Sequence, residues 1–353
     1  MIGGRAVRLL VLVLALPVAA IWMPQPVASA RPAPLVTWAP AGSPSKIVAQ
    51  TRAAFLNNKV YVPGGWLNGF TTMFNGMQIY ATSTGTWSVD NQPIPSGALT
   101  QSAVCSDGSK VYVLGGLSQA TESLLATMQI YDPSKPKGSR WSTGPNIHTT
   151  ATGDLRDREG GCAWIGGKLY LFGGDTESDS GTISGITDHT WVFRPATGIW
   201  SDTGFTMAVA NWDFGYASNG ANAFTAGGRD NVTSYFRDAE KFTPSSGWSA
   251  MTKLPVPKGA TAGTGLEGDG LGFLGSSLAV FGGFASSGSA PVQTRTLVCA
   301  LPCGSGDTWK NARRNLAAGR GEFAWASGGS TPTLYAIDGQ AASGFVSTAE
   351  KTT

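Results

Sequence analysis

The sequence predicts an all-β protein, a ring of six repeated sheets that follows a cleavable leader, and three observations predict it. A short apolar run ending in two glycines recurs along the chain. A tryptophan follows each of the first five runs, at a spacing of about fifty residues. Glycine reaches 48 of 353 residues while aromatics still make up 10% and apolar residues 42%. That balance describes a turn-rich folded chain, because disordered chains are poor in apolar and aromatic residues.

The leader is residues 1–30. Arg5 and Arg8 precede an apolar run from Leu9 to Met23, and small residues follow at Ala28, Ser29 and Ala30, which is the order of a secretory signal cleaved after Ala30. The run contains Pro17 and is shorter than the ~20 apolar residues a bilayer core requires, so no stable membrane span is expected after cleavage. Without Arg5 and Arg8 the basic count falls from 25 to 23, against 22 acidic residues. A chain so nearly neutral has no broad electrostatic footprint for nucleic acid or an anionic membrane. The expected location is extracytoplasmic, in the periplasm or outside the cell.

Residues 31–353 then form one domain. The apolar runs are KVYVPGG at Lys59–Gly65, KVYVLGG at Lys110–Gly116, KLYLFGG at Lys168–Gly174, NAFTAGG at Asn222–Gly228, LAVFGG at Leu278–Gly283 and LYAIDG at Leu334–Gly339, where Asp338 replaces the first glycine. A second strand follows each pair, as Met77–Tyr80, Met128–Tyr131, Thr190–Phe193, Ala239–Phe242 and Ala349–Thr352. A turn rich in Gly, Ser, Thr and Pro leads on to Trp87, Trp141, Trp200, Trp248 or Trp309.

The runs do not alternate between apolar and polar residues, as a sheet with one wet face would. They read as strands covered on both faces, which is the condition of a blade packed between two others in a propeller. The glycine pair suits a strand end where the backbone turns sharply or approaches a neighbour closely. Blades are centred on residues 52–90, 100–145, 154–204, 212–254, 266–313 and 320–353 plus 35–40. The sixth repeat ends without a tryptophan, and Trp38 near the mature N-terminus supplies the missing copy. Leu35–Pro40 is therefore the outer strand of the last blade, pairing of the N-terminal and C-terminal strands closes the ring, and no sheet edge is left open. A monomer is expected.

The spacing, the double glycine and the tyrosine and tryptophan positions resemble the Kelch repeat over roughly residues 35–353. The resemblance implies a six-bladed Kelch-type β-propeller, with ligand sites where the innermost strands open at one mouth of the central channel. The segments just before each apolar run are rich in charge: Arg52 in the first blade; Asp154, Arg156, Asp157, Arg158 and Glu159 in the third; Trp212, Asp213 and Tyr216 in the fourth; Glu267 and Asp269 in the fifth; Arg320 and Glu322 in the sixth. Only 13% of the chain is charged, so this clustering singles the segments out. Carboxylates beside arginines bind polar ligands and, with shifted pKa values, perform acid–base chemistry; the other account is ion pairing that holds the inner strands in register.

Kelch propellers differ in activity, so the fold does not choose among them. The copper-dependent galactose oxidases use two histidines with two tyrosines, whereas this chain has only His148, in an outer segment of the second blade, and His189, before the third strand of the third. The iron-dependent plant specifier proteins use a Glu, Asp and His at intervals of four, absent here. No metal or other cofactor is expected. The bacterial sialic acid mutarotases, exported and metal-free, resemble the chain in length and blade number; Arg237 sits where their arginine is expected, and Gly228 or Arg229 stands where their glutamate would be. The leading expectation is a secreted propeller that binds a protein or carbohydrate, with a metal-independent, mutarotase-like enzyme acting on a small polar molecule as the alternative.

Other features are minor. Cys299 and Cys303 flank a short turn and are expected to bridge, while Cys105 and Cys162 either pair or remain small buried residues. Asp175, Glu177 and Asp179 lie in DTESDSG, read as a solvated loop because the glutamate that ends an EF-hand loop is missing. Asn231-Val232-Thr233 is a glycosylation sequon, and Arg313-Arg314 a solvated turn.

Overall fold

The innermost strands of six sheets stand side by side in a cycle. A computed structural model describes residues 36–230, 234–285, 291–312 and 314–353; the leader, Leu35, the sequon at Asn231 and Arg313 lie outside the described residues. From inside outward, sheet 1 is Ala54–Leu56, Lys59–Pro63, Met77–Ala81 and Thr86–Asp90, and sheet 2 is Ala103–Ser106, Val111–Leu114, Met128–Tyr131 and Trp141–Thr143. Sheet 3 is Gly161–Ile165, Lys168–Phe172, His189–Arg194 and Ile199–Thr206, and sheet 4 is Gly215–Ser218, Ala223–Ala226, Ala239–Thr243 and Gly247–Ala250. Sheet 5 is Gly270–Leu274, Ser277–Phe281, Thr296–Ala300 and Lys310–Asn311. Sheet 6 is Ala324–Gly328, Thr333–Ile337 and Ala349–Thr352, with Trp38–Pro40 as its outer strand. Each inner strand packs beside those of the preceding and following sheets, and that of sheet 6 packs beside that of sheet 1.

The covered strands are the apolar runs. In Lys59–Pro63 and Lys168–Phe172 every residue after the lysine is buried, as expected of a strand with a sheet on each face. Tyr80, Tyr131, Phe193 and Phe242 pair across the outer ladder with Trp87, Trp141, Trp200 and Trp248, with ring centroids 5.0–5.3 Å apart. Sheets 5 and 6 depart from this pattern: Cys299 pairs with Leu278, where the first four sheets place the aromatic residue, and is bridged to Cys303, while in sheet 6 Thr352 faces Trp38. Cys105 and Cys162 are also bridged, Cα atoms 5.9 Å apart, joining the inner strands of sheets 2 and 3.

The glycine pairs make the close approach read from the sequence. All five pairs have positive φ, as do Asp338 and Gly339 in the sixth copy. The second glycine of each pair donates its N–H to a carbonyl of the segment that leads into the next sheet: Gly65 to Leu99, Gly116 to Asp157, Gly174 to Asn211, Gly228 to Leu266, Gly283 to Arg320, and Gly339 back to Val48. A Cβ at Gly64 would run into the Leu99 carbonyl, so the contact requires glycine. Trp38 pairs with Thr352, and its indole N–H donates to Thr296 Oγ1 at 2.8 Å.

One segment differs from the expectation. Residues 153–158 and 175–178, read as a pre-strand segment and a solvated loop, pair as strands Gly153–Arg158 and Asp175–Ser178 of a further four-stranded sheet, with His148–Thr149 and Ser184–Ile186 at its edges. Opposite charges across that ladder hold it: Arg158 lies 2.7 Å from Asp175, and Arg156 lies 2.7 Å from Asp179. Charged cross-strand pairs favour a hairpin over a loop.

Candidate functional site

The charged mouth is organised by a ring of backbone hydrogen bonds. Gln101 N–H donates to Gln50 C=O, Glu159 to Gln101, Asp213 to Glu159, Gly268 to Asp213, Glu322 to Gly268, and Gln50 to Glu322, which closes the circle. All six residues have φ between 50° and 61°. That conformation strains residues other than glycine, and five of the six are not glycine. The ring is built from matching positions: Gln50, Gln101 and Glu159 stand nine residues before Lys59, Lys110 and Lys168.

Arg52 fills the space beside this ring. Two residues beyond the ring position the other sheets carry Ala103, Gly161, Gly215, Gly270 or Ala324, so a single large side chain has room there. Its Nη2 lies 2.5 Å from Asp213 Oδ1, its Nη1 donates to the Thr51 carbonyl at 3.2 Å, and its guanidinium stacks 4.5 Å from the centre of the Trp325 ring. Tyr216 reaches across to sheet 2, where its hydroxyl meets the N–H and C=O of Val104 at 2.8 and 3.0 Å, and Trp325 Nε1 donates to the Tyr216 carbonyl at 3.2 Å. A cavity of about 270 Å³ is lined by inner-strand residues that include Phe55, Trp164, Trp325 and the Cys105–Cys162 bridge.

Electrostatics at the ring are set by burial. Glu159, Asp213 and Glu322 are buried, and oxygens of the three lie within 4.8 Å of one another. Burial pushes Glu159 up to about 8, the Asp213 charge adding to it and Arg52 opposing it. Glu322 is raised by burial and then by Asp213 and Glu159, and buried Asp269 is raised for the same reasons, burial first and Asp213 second. Burial alone would lower the Arg52 guanidinium, but the facing carboxylates more than offset it. At the outer rim Arg158 and Arg229 sit over the Trp212 indole, 5.1 and 4.4 Å from its centre, and Arg229 pairs with Glu267 at 2.7 Å.

The structure thus brings together Arg52, Glu159, Asp213, Asp269 and Glu322, with Arg158, Trp212, Arg229 and Glu267 beside them. It sets others apart. Asp154 bonds the exposed His148, and Arg156 bonds Asp179. Arg320 is buried against Glu350 and the carbonyls of Asp338 and Thr348. Arg237 donates to the Leu254 carbonyl at 2.5 Å. Sequence reasoning missed Gln50, Gln101 and Trp325 as partners of the charges, because two are uncharged and the third lies inside an apolar run; the nine-residue offset from the lysines was the available signal.

A second feature stands on the hairpins that follow the glycine pairs. Trp66–Leu67 pairs with Val48–Ala49, and Gln340–Ala341 pairs with Gly344–Phe345. Phe70 is 43% exposed, packs at a tilt with its ring centre 4.6 Å from that of Phe345, and has Trp66 6.2 Å away.

The sheets and the ring define a propeller built from repeated antiparallel four-stranded units. Residues 98–147 match the Kelch motif. Among solved structures the chain is similar to that of YjhT, at 15% identity and a TM-score of 0.65, covering 87% of this chain and 95% of that one. No curated protein matches it. The chain thus carries a Kelch motif and has a propeller fold similar to that of YjhT.

Proposed function

We propose that the six sheets are the blades of one ring closed by Trp38–Pro40, that the protein is exported by the leader at residues 1–30, and that it binds carbohydrate through the aromatic rim of its charged mouth. The observation that carries the binding reading is the contrast in access at the mouth. The ring charges are buried, whereas Phe70, Phe345 and Trp66 form an aromatic cluster with Phe70 exposed. Exposed aromatic rings on a polar surface mark a contact site, and their faces suit the apolar faces of sugar rings. The two disulfides accord with an extracytoplasmic location. No helix among the described residues is long and apolar enough to cross a membrane.

The test is a glycan array followed by titration calorimetry on the best ligand. Phe70→Ala and Phe345→Ala should each weaken binding at least ~10-fold with unchanged melting, since a hot-spot aromatic contributes ~2 kcal/mol or more. An array without binders, or capture of a protein independent of both rings, would sink the carbohydrate reading.

One observation favours enzymatic action on a small polar molecule as a second reading: Glu159, held near pKa 8 mainly by burial, stands near the rim arginines Arg158 and Arg229. A carboxyl with that pKa can exchange a proton at neutral pH. Turnover of reducing sugars that survives Glu159→Gln would remove this reading.

A further inference from the structure

The buried charges of the ring do not balance. Glu159, Asp213 and Glu322 face one another with Arg52 as the cation among them, while Arg229 is engaged by Glu267. Arg52 takes only Asp213 Oδ1. The other oxygen of Asp213, together with Glu159 Oε2 and Glu322 Oε2, is buried without a hydrogen-bond partner. Gln101 adds a fourth: its Nε2 donates to Glu159 Oε1 at 2.7 Å, which places the amide at the ring, and its Oε1 is buried and unpartnered. Native proteins seldom leave so many buried acceptors without a donor or an ion.

We propose that the ring binds one calcium ion, ligated by Glu159, Asp213 and Glu322 with the Gln101 carbonyl as a further donor. The donors are all oxygen, which selects a hard cation over zinc, copper or iron. Two oxygens on opposite sides of a calcium ion, each ~2.4 Å from it, are about 4.8 Å apart, and the three carboxylates fall within that span. Magnesium retains several waters, which a ring of buried side chains resists, so calcium is preferred. With all three carboxylates deprotonated, as ligation requires, they leave two negative charges against Arg52, the charge a divalent ion neutralises. The ion would then tie sheets 3, 4 and 6 together at one end of the channel, opposing the repulsion among their carboxylates. This site is separate from the aromatic rim, and its test does not depend on glycan binding.

The experiment is calcium titration of the purified protein after chelator treatment and dialysis, followed by calorimetry, terbium luminescence and melting temperature. The expected result is one equivalent of calcium bound, with terbium competing for it, and melting raised by roughly 2–4 °C at saturating calcium. Magnesium at equal concentration should give a smaller shift. Glu322→Gln and Glu159→Gln/Glu322→Gln should weaken calcium binding by at least ~10-fold and abolish the melting shift. Absence of calcium heat, of terbium signal and of any melting shift in the wild-type chain would overturn the proposal whatever the variants do. So would a double variant with the full calcium response. A double variant that melts higher in chelator, in a protein indifferent to calcium, would show that protons neutralise the ring and would overturn it too.

Discussion

Arg52 Nη2 lies 2.5 Å from Asp213 Oδ1 although 161 residues separate them, and both side chains are sealed from water. The pair joins the first sheet to the fourth. Removing one partner of a buried ion pair strands the other charge, at a cost of about 3–5 kcal/mol. Arg52→Met should be worse than Asp213→Asn, because it leaves three carboxylates facing one another whereas the asparagine leaves Arg52 with Glu159 and Glu322 nearby. Urea unfolding of both variants decides this, and equal midpoints would show that Arg52 is not the keystone of the cluster.

The two disulfides should differ in weight. Cys105 and Cys162 are 57 residues apart, and Cys299 and Cys303 only 4. Loop-closure entropy assigns roughly 4 kcal/mol to the first and roughly 2 kcal/mol to the second. Cys105→Ser/Cys162→Ser should therefore lower the unfolding midpoint more than Cys299→Ser/Cys303→Ser, measured under the same non-reducing conditions.

Asp338 gives the protein a pH dependence with a definite sign. Burial raises this carboxyl to about 8, with the Val48 N–H and Arg320 opposing it. An acid whose folded pKa lies above its unfolded value contributes stability that is complete below the unfolded pKa and is lost as pH rises through the folded one. Melting should therefore fall between about pH 4 and 8. Asp338→Asn should flatten that fall, since asparagine does not titrate and tolerates the φ of 52° at this position. A variant with the wild-type pH profile would assign the dependence to Glu159, Glu322 and the other raised carboxyls.

The proposed closure rests on Trp38. Its ring lies 5.2 Å from Phe281, its N–H reaches Thr296, and its strand pairs with Ala349–Thr352. Trp38→Ala should cost about 3–5 kcal/mol, and deletion of residues 31–45 should open a sheet edge that drives association. Light scattering and near-ultraviolet circular dichroism read both effects; a monomeric, native-like deletion product would remove the closure.

Much of this was legible in the sequence because repetition is local. Each glycine pair, each aromatic residue and each tryptophan is spaced by the geometry of one sheet, so six imperfect copies reveal the strands, their burial on two faces and the pairing of Trp38 with the last repeat. The lysines before the apolar runs even carry the ring register, nine residues upstream. The extra sheet at Gly153–Arg158 was not legible, because its ladder depends on Arg158 meeting Asp175 and Arg156 meeting Asp179 across a whole intervening hairpin.

What the sequence by itself determined is the repeated sheet and the concentration of charge ahead of each inner strand. Only the tertiary structure decided what those charges do, because burial and distance are properties of the folded sheets. It separated Arg320, committed to Glu350, from Arg52, committed to Asp213, and it gathered Glu159, Asp213 and Glu322 from three repeats around one point. Charge is written residue by residue along the chain, whereas the imbalance among those carboxylates exists only where the strands converge.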